Sequence, residues 1–482
     1  MDRLKTESAR QPVAAPAPAD GLATPLRRQS MLVIILGIAL AVLDSSIMNL
    51  ALPDIGRELN VSAAHAVWVV NAYQLATLVL LLPLAALGDR LGYRRVYLVG
   101  MGLFAIASVA AMLARSLETL ILARALQGLG AAGVMSVNAA LVRLTFPRSQ
   151  LGRGMAINSV VVATASMAGP TIAAGILSVA SWPWLFAMNL PLGLFVCWLG
   201  RRALPTNPPA ESKGPRFSVL DVILNVTMFT LLFLGGEQLG VRMGGGQSSL
   251  AGGLVLLGIG LLVGVVYVRR QWHLAAPMFP VDLLRIPVFA LSMGASVSAF
   301  CAQMLGFLAM PYLLLEVLGY SHLKAGMVIT AWPLATVVFA PIAGRLIGRF
   351  QDGLLGGIGM ALFAAGLLAL GLMPDHPADW NVMWRMALCG AGFGLFQSPN
   401  NHTIVSSAPL HRSGAASGML GTARLTGQTL GAVLLAAIFA IWPQHDGFAE
   451  SVALCLAAGS AVIAGCCSSL RITRGANARG GH

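Results

Sequence analysis

The chain has 482 residues, of which 57% are hydrophobic and only 10% are charged, and its formal net charge is +13. Soluble domains carry roughly 25% charged residues, so this composition excludes a water-soluble globular protein. A basic protein can attract nucleic acid, but most of the 31 Lys and Arg lie in alternate loops between apolar segments. That is the positive-inside pattern of a membrane protein, so we expect no nucleic-acid partner.

Long apolar runs recur along nearly the whole chain. A helix needs about 20 apolar residues to cross a bilayer, and continuous runs without two-residue alternation favour helices over a barrel. The sequence therefore predicts an all-α membrane protein with fourteen spans, an even number that puts both termini in the cytoplasm. The predicted spans are 31–53, 66–87, 96–114, 117–141, 154–180, 182–200, 218–240, 249–268, 287–315, 324–347, 353–373, 381–405, 415–442 and 449–470.

Two polar segments flank the predicted membrane region. Residues 1–30 are rich in Ala, Pro and Arg and contain no apolar stretch or cleavage pattern, so they do not resemble a signal peptide. We expect a disordered cytoplasmic tail there and a second cytoplasmic tail at 471–482.

A faint internal repeat divides the membrane region. The sequence AALGDR at 85–90 is similar to GRLIGR at 344–349, and two related halves are typical of secondary transporters. Eight predicted spans separate the two strings. We therefore expect an N-terminal six-helix half at 31–200, a linker with two extra transmembrane helices at 201–286, and a C-terminal six-helix half at 287–470.

Seven short motifs occur in the order found in one transporter family. They are LDSSIMNLALP (43–53), WVVNAYQLA (68–76), GDRLGYRR (88–95), RALQGLGAA (124–132), AGPTIAAG (168–175), FAMNLPLG (186–193) and GTARLTGQTLG (421–431). With these motifs the chain resembles the major facilitator superfamily, and within it the 14-helix drug:proton antiporters that export quaternary ammonium compounds and methyl viologen. The resemblance implies proton-coupled export of lipophilic, often cationic drugs or biocides across the bacterial inner membrane by alternating access.

Two charged residues are predicted deep in the membrane. Asp44 lies ~20 Å past the inner boundary of the first span and Arg124 ~10 Å inward from the outer end of the fourth, so their depths are similar. Charges at that depth are costly and are expected to pair or to face a cavity. Burial raises a carboxylate pKa and a nearby arginine lowers it, so cavity opening would change the protonation of Asp44. The resemblance likewise implies coupling roles for both residues, and a static ion pair is the alternative.

The loop after the second predicted span carries an acidic residue among basic ones. The resemblance implies a conformational latch that stabilises the outward-facing state, formed by Asp89, Arg90, Gly92, Arg94 and Arg95. The arginines alone would be explained by the positive-inside rule, whereas Asp89 has a sign that the rule does not require.

Small residues at helical spacing follow in the fifth predicted span, which allows close helix packing. They are Ala165, Gly169, Pro170, Ala173 and Ala174. In the family's exporters a Gly-Pro pair followed by two glycines marks antiport and seals the path against leak. Alanines replace those two glycines here.

Several polar and aromatic residues are candidates for the wall of a substrate cavity. These are Asn49, Trp68, Tyr73, Gln74 and Arg424. For Trp68 an interfacial aromatic belt is the alternative. Glu237 is a secondary acid candidate, although we expect it near the outer end of its span, where a carboxylate reaches water.

The sequence contains no pattern of an enzyme or a metal site. None of its three lysines completes a phosphate-binding loop, and its eight histidines form no metal-binding motif. We expect no cofactor, and as partners a lipophilic small-molecule substrate, protons and membrane lipids, with the chain acting as a monomer. The alternatives are a lipid or metabolite exporter on the same fold and a membrane sensor or scaffold without flux.

Overall fold

The structure is a computed structural model that describes residues 21–61, 66, 68–207, 218–243, 250–274, 277–320, 322–374, 377–442 and 447–477. The described part of the chain is almost entirely helical. Its long helical segments number 14, and we label them α1 to α14 in chain order.

The first half of the chain contains six of these segments. They are α1 (Thr24–Glu58), α2 (Trp68–Leu91), α3 (Tyr93–Met112), α4 (Leu117–Thr145), α5 (Leu151–Leu177) and α6 (Pro183–Ala203, interrupted at Met188). Local signals set their ends. Ser116 begins α4 through a capping box with Thr119, and Gly92 separates α2 from α3 with φ +102°, a conformation that favours glycine.

The second half of the chain begins with a pair of linker helices and continues with six further segments. The pair is α7 (Val219–Met243) and α8 (Leu250–Gln271). The others are α9 (Pro287–Tyr312), α10 (His322–Ile329 and Ala331–Leu346), α11 (Asp352–Gly371), α12 (Asp379–Ser407), α13 (Ser413–Ile441) and α14 (Phe448–Asn477). Pro311 does not end α9, because the chain continues through it into a π-helix at Leu313–Val317.

Eleven helices in the described part of the chain are long and apolar enough to cross a membrane by length and composition. The segments α5, α12 and α13 lie outside this set. The chain is therefore a multi-pass, all-helical membrane protein.

The helix ends differ from two expected boundaries. The first helix begins at Thr24, inside the segment 1–30, because Pro25 starts it and Arg27 holds it by donating to Leu22 O. Residues 1–20 lie outside the described part of the chain. The last helix continues to Asn477, inside the segment 471–482.

Each half has its own hydrophobic core, and the two halves meet along α2 with α13 and α5 with α10. At these seams small residues allow close contact. A Cβ on Gly418 would lie 2.6 Å from the Cβ of Ala85, closer than real Cβ atoms approach. The helix pair α7 and α8 lies beside this interface, with α7 packed on α2 and α13.

Candidate functional site

A buried polar cluster surrounds Asp44 of α1 and Arg124 of α4. These two side chains form a salt bridge and are 3% and 0% exposed. Gln127 donates from Nε2 to Asp44 Oδ1 at 2.9 Å, and Asn189 donates from Nδ2 to the same oxygen at 2.7 Å. Both amides also contact Ser108 Oγ. Each carboxylate oxygen therefore has a partner, as a buried charge requires.

Arg124 is held from several directions. Its Nε donates to Val69 O at 3.0 Å, and its Nη1 donates to Gln127 Oε1 at 2.6 Å as well as to Asp44. The guanidinium carbon lies 4.3 Å from the centre of the Tyr73 ring, within the range of an attractive cation–π contact. Tyr73 is fixed in turn, since its hydroxyl donates to Ala41 O at 2.8 Å.

A cavity of about 700 Å³ lies between the two halves, a size that suits a drug-like molecule. Residues of α1, α2, α4 and α5 form one side, and residues of α9, α10, α12 and α13 form the other. The helix α7 contributes Phe233, Gly236 and Glu237. Its polar groups include five side-chain amides, together with several hydroxyl groups: the amides are Asn71, Gln74, Gln303, Gln397 and Gln428. Its aromatic side chains include Tyr73, Phe233, Phe300, Phe307, Trp332 and Phe393.

Tyr73 stands between this cavity and the ion pair. It lines the cavity, whereas neither Asp44 nor Arg124 is among the described residues that do so. The buried charges are therefore within one side chain of a bound molecule but are shielded from it.

Most of the expected cavity residues do line this cavity. Tyr73, Gln74 and Arg424 are in its wall, while Trp68 is not among the described lining residues. The side chain of Asn49 lies outside the described part of the structure.

Glu237 also lines the cavity, and it lies six residues before the end of α7 at Met243. Its carboxylate accepts a hydrogen bond from Asn71 Nδ2. The helix α7 packs against α2 and α13. A carboxylate on the inward side of α7 therefore meets the cavity.

Arg424 of α13 is the cationic side chain among the described residues that line the cavity. Its guanidinium carbon is 5.9 Å from the centre of the Phe300 ring. Its Nε is buried and has no hydrogen-bond partner among the described residues.

Asp89 joins the two halves at the end of the bundle that contains the α2–α3 turn. Its carboxylate accepts from the backbone N–H groups of Gly414 at 2.9 Å and Ala415 at 3.2 Å, at the start of α13. Tyr93 Oη also donates to it, at 2.7 Å. An acidic group at a helix N-terminus is favourable because the first amides of the helix lack other partners.

The neighbouring latch candidates behave differently. Arg90 and Arg95 are exposed, and within the described part of the chain no hydrogen bond or ion pair involves Arg90, Arg94 or Arg95. Gly92 serves as the turn itself, and the following amide, Tyr93 N–H, donates to Asn207 Oδ1 at 2.8 Å.

Arg143 forms a second connection between the halves, one that the motifs did not single out. From α4 its Nη1 donates to Val405 O at 2.8 Å, Ala408 O at 2.9 Å and Ser413 Oγ at 3.0 Å. These acceptors lie at the end of α12 and the start of α13. Asp89 and Arg143 thus hold the two halves together at the same end of the bundle.

The small residues of α5 lie where this helix approaches α1. Gly169 faces Ser46, and a Cβ on Gly169 would come within 2.5 Å of Ser46 Cβ. Ala165 and Ala173 are buried at 5% and 0% exposure. The side chains of Pro170 and Ala174 lie outside the described part of the structure.

Three members of the polar cluster were missed from the sequence. Gln127 follows Arg124 by three residues, so helical spacing would have placed both on one face. Ser108 and Asn189 reach the cluster from α3 and α6, and no local pattern predicts this.

In the described ranges no group of three His, Cys, Asp or Glu side chains is arranged to hold a metal ion.

The sequence matches the Major Facilitator Superfamily over residues 34–432. It is 51% identical over 456 residues to the "Uncharacterized transporter YebQ" of Escherichia coli, covering 95% of this chain and 98% of the relative. It is 28% identical to the riboflavin transporter RibZ of Clostridioides difficile, covering 85% and 88%. It is 30% identical to the multidrug resistance protein Stp of Mycobacterium tuberculosis, covering 84% and 75%.

A solved structure has the same fold. The human organic anion transporter MFSD10 aligns with a TM-score of 0.66 at 14% identity, covering 92% of this chain and 100% of that chain. With a family match over most of the chain, an all-helical fold of two halves and a cavity between them, this chain is a membrane transporter and belongs to the major facilitator superfamily.

Proposed function

We propose that this transporter exports lipophilic small molecules, often cationic, across the bacterial inner membrane in exchange for protons. It acts as a monomer by alternating access to the central cavity. The observation that carries the proposal is the Asp44–Arg124 ion pair, buried directly behind Tyr73 in the cavity wall. The similarity to the multidrug resistance protein Stp supports drug export.

In this proposal all fourteen helices span the membrane and both termini are cytoplasmic. The end of the bundle that holds Asp89 and Arg143 is then the cytoplasmic end. Leu22 N–H donates to Thr145 O at 3.1 Å, so the start of α1 lies beside the end of α4, which carries Arg143. The contacts of Asp89 and Arg143 accordingly close the cytoplasmic opening, through which the substrate enters, and α2–α13 and α5–α10 would separate when the transporter faces inward.

The proton is carried by Asp44. Asp44 is 3% exposed and does not line the cavity, so in this proposal protonation follows movement of Tyr73 or of the helices around it. A protonated Asp44 leaves Arg124 buried without an anion, and breaking a buried pair by removing one partner costs about 3–5 kcal/mol. That difference is large enough to shift a conformational equilibrium, which would link proton uptake to substrate release.

The test is substrate-dependent proton movement in proteoliposomes containing the purified protein and a pH-sensitive dye. When a transported lipophilic cation is added to one side of the membrane, protons should appear on that same side in wild-type vesicles. They should not appear in protein-free vesicles. Binding of the cation with no proton movement would contradict antiport.

Export of a lipid or metabolite is the second candidate. The abundance of amide side chains in the cavity favours a substrate with many hydrogen-bonding groups, and one relative is a riboflavin transporter. Extraction of purified protein with organic solvent and mass spectrometry of the released compounds would identify such a substrate. Recovery of one stoichiometric polar metabolite or phospholipid would favour this candidate over drug export.

A further inference from the structure

The cavity wall contains a half-buried cation that has no anion among the described residues. Arg424 is in the cavity wall, and none of the ion pairs between described residues includes it. Its Nε is buried without a hydrogen-bond partner in the described part of the chain. A guanidinium that is partly removed from water, with its Nε unpaired, is stabilised by an anion or by further acceptors. A molecule bound in the cavity can supply such a group more strongly than water does, if it carries an anion.

The cavity also contains a separate acid. Glu237 lines the α7 side, where Asn71 donates to its carboxylate. Its neighbour Gly236 faces α13, since a Cβ there would lie 2.8 Å from Val433 Cγ2 and 4.0 Å from Thr429 Cγ2. Thr429 and Val433 follow Arg424 by five and nine residues on α13, which corresponds to a separation of ~10 Å along the helix axis.

These two charges share one cavity but do not form a salt bridge. A simple cation would be attracted by Glu237 but repelled by Arg424. A simple anion would be attracted by Arg424 but repelled by Glu237. A molecule that carries both kinds of group ~10 Å apart can pair with both charged residues. Phe233, Phe300 and Phe307 provide apolar surface for its aromatic body.

We propose that the cavity selects amphoteric aromatic compounds, with an acidic group on Arg424 and a cationic or hydrogen-bond-donating group toward Glu237. This inference rests on the proposed function for its transport step, but binding tests it independently. It assigns Arg424 as the specificity-determining residue.

The experiment compares two dyes that differ in one charge. Rhodamine B carries a free carboxylate on a cationic aromatic body, and its ethyl ester is a plain cation with the same body. Fluorescence anisotropy of each dye is titrated with wild-type protein in lipid nanodiscs, and empty nanodiscs correct for partition into lipid. We expect rhodamine B to bind about tenfold more tightly than the ester, equivalent to ~1.4 kcal/mol. Equal or weaker binding of the free acid would overturn the proposal.

Variants of the protein then test whether Arg424 causes the preference for rhodamine B over its ethyl ester. Arg424→Gln should bring the ratio of the two affinities close to one, and Arg424→Lys should retain part of it because the charge remains. Glu237→Gln should weaken both dyes and keep the preference for the free acid. If Arg424→Gln keeps the wild-type ratio of the two dye affinities, Arg424 does not bind the acidic group of the dye and its assignment as the specificity-determining residue is wrong.

Asp44→Asn separates this inference from the proposed function. We expect it to keep the dye preference while losing proton coupling, because Asp44 does not line the cavity. If wild-type protein shows the preference but no substrate-dependent proton movement, the proposed antiport fails and the substrate class stands. Loss of the dye preference in Asp44→Asn would contradict the separate roles of the two sites.

Discussion

The guanidinium carbon of Arg124 lies 4.3 Å from the centre of the Tyr73 ring, and the same tyrosine lines the central cavity. One aromatic side chain therefore contacts both the proposed proton site and the space for the substrate. A molecule that displaces Tyr73 would remove the cation–π contact and admit water to Arg124. This gives a direct physical route from substrate binding to the charge pair, without any change elsewhere in the helix bundle.

The role of Tyr73 is tested by Tyr73→Leu and Tyr73→Phe. Leucine removes the aromatic contact, which contributes up to ~2 kcal/mol at a desolvated site, and opens the ion pair to the cavity. We expect Tyr73→Leu to conduct protons without substrate in proteoliposomes. Phenylalanine keeps the ring and loses only the hydroxyl contact with Ala41 O, so it should remain coupled and lose about 1 kcal/mol of stability. A tightly coupled Tyr73→Leu transporter would show that Tyr73 is not the barrier.

Asp44→Asn should abolish substrate-dependent proton release, because asparagine retains the shape of the side chain but does not titrate near neutral pH. The buried Arg124 then lacks an anion, and we expect the free energy of unfolding to fall by about 3 kcal/mol. The matched control is Asp44→Asn combined with Arg124→Gln, which removes both charges. It should recover most of the stability measured by thermal unfolding but none of the proton coupling. Proton release by either variant would remove Asp44 from the mechanism.

Asp89→Asn should reduce the rate of transport more than the affinity for substrate. The carboxylate sits on the first amides of α13, and loss of its charge there weakens the closed end by ~1 kcal/mol. An equilibrium moves only through such differential stabilisation, and the substrate cavity is not altered. Turnover and binding of the same compound would be measured in parallel. The control is Arg95→Gln, for which we expect wild-type turnover since Arg95 is exposed. A larger loss in Arg95→Gln than in Asp89→Asn would mean that the arginines form the latch.

The sequence predicted the parts of this site that depend on depth within a single helix. The distances of Asp44 and Arg124 from the ends of their spans predicted a similar depth, and of the two expectations, a partner or a cavity, the structure shows the partner. The family motifs predicted the major facilitator fold, which is confirmed. The position of Glu237 depended instead on how α7 packs against α2 and α13. That packing leaves no trace in the hydropathy of α7.

Charged residues near span ends were the hardest to interpret. The sequence analysis did not single out Arg143 or Arg471, since a basic residue just after a predicted span needs no explanation beyond the positive-inside rule. In the structure Arg143 caps the end of α12, and Arg471 is buried at 5% exposure, donating to Ser292 Oγ and Asn400 Oδ1. Both depend on contacts between distant helices, which one sequence does not reveal.

The last prediction concerns the charge moved in each transport cycle. If Asp44 carries one proton, exchange for a monovalent cation moves no net charge, whereas exchange for a net-neutral zwitterion moves one. The membrane potential is worth ~2.3 kcal/mol per charge per 100 mV, enough to change the limiting accumulation of a zwitterion about fifty-fold. We therefore expect a potassium ionophore that collapses the potential, at a fixed pH gradient, to suppress export of rhodamine B and to spare its ethyl ester. Strong inhibition of ester export as well would require more than one proton per cycle, and Glu237 would be the first candidate for the second carrier, since its carboxylate lines the cavity. Export of both dyes that is unaffected by the potential would exclude transport of a net-neutral zwitterion against a single proton.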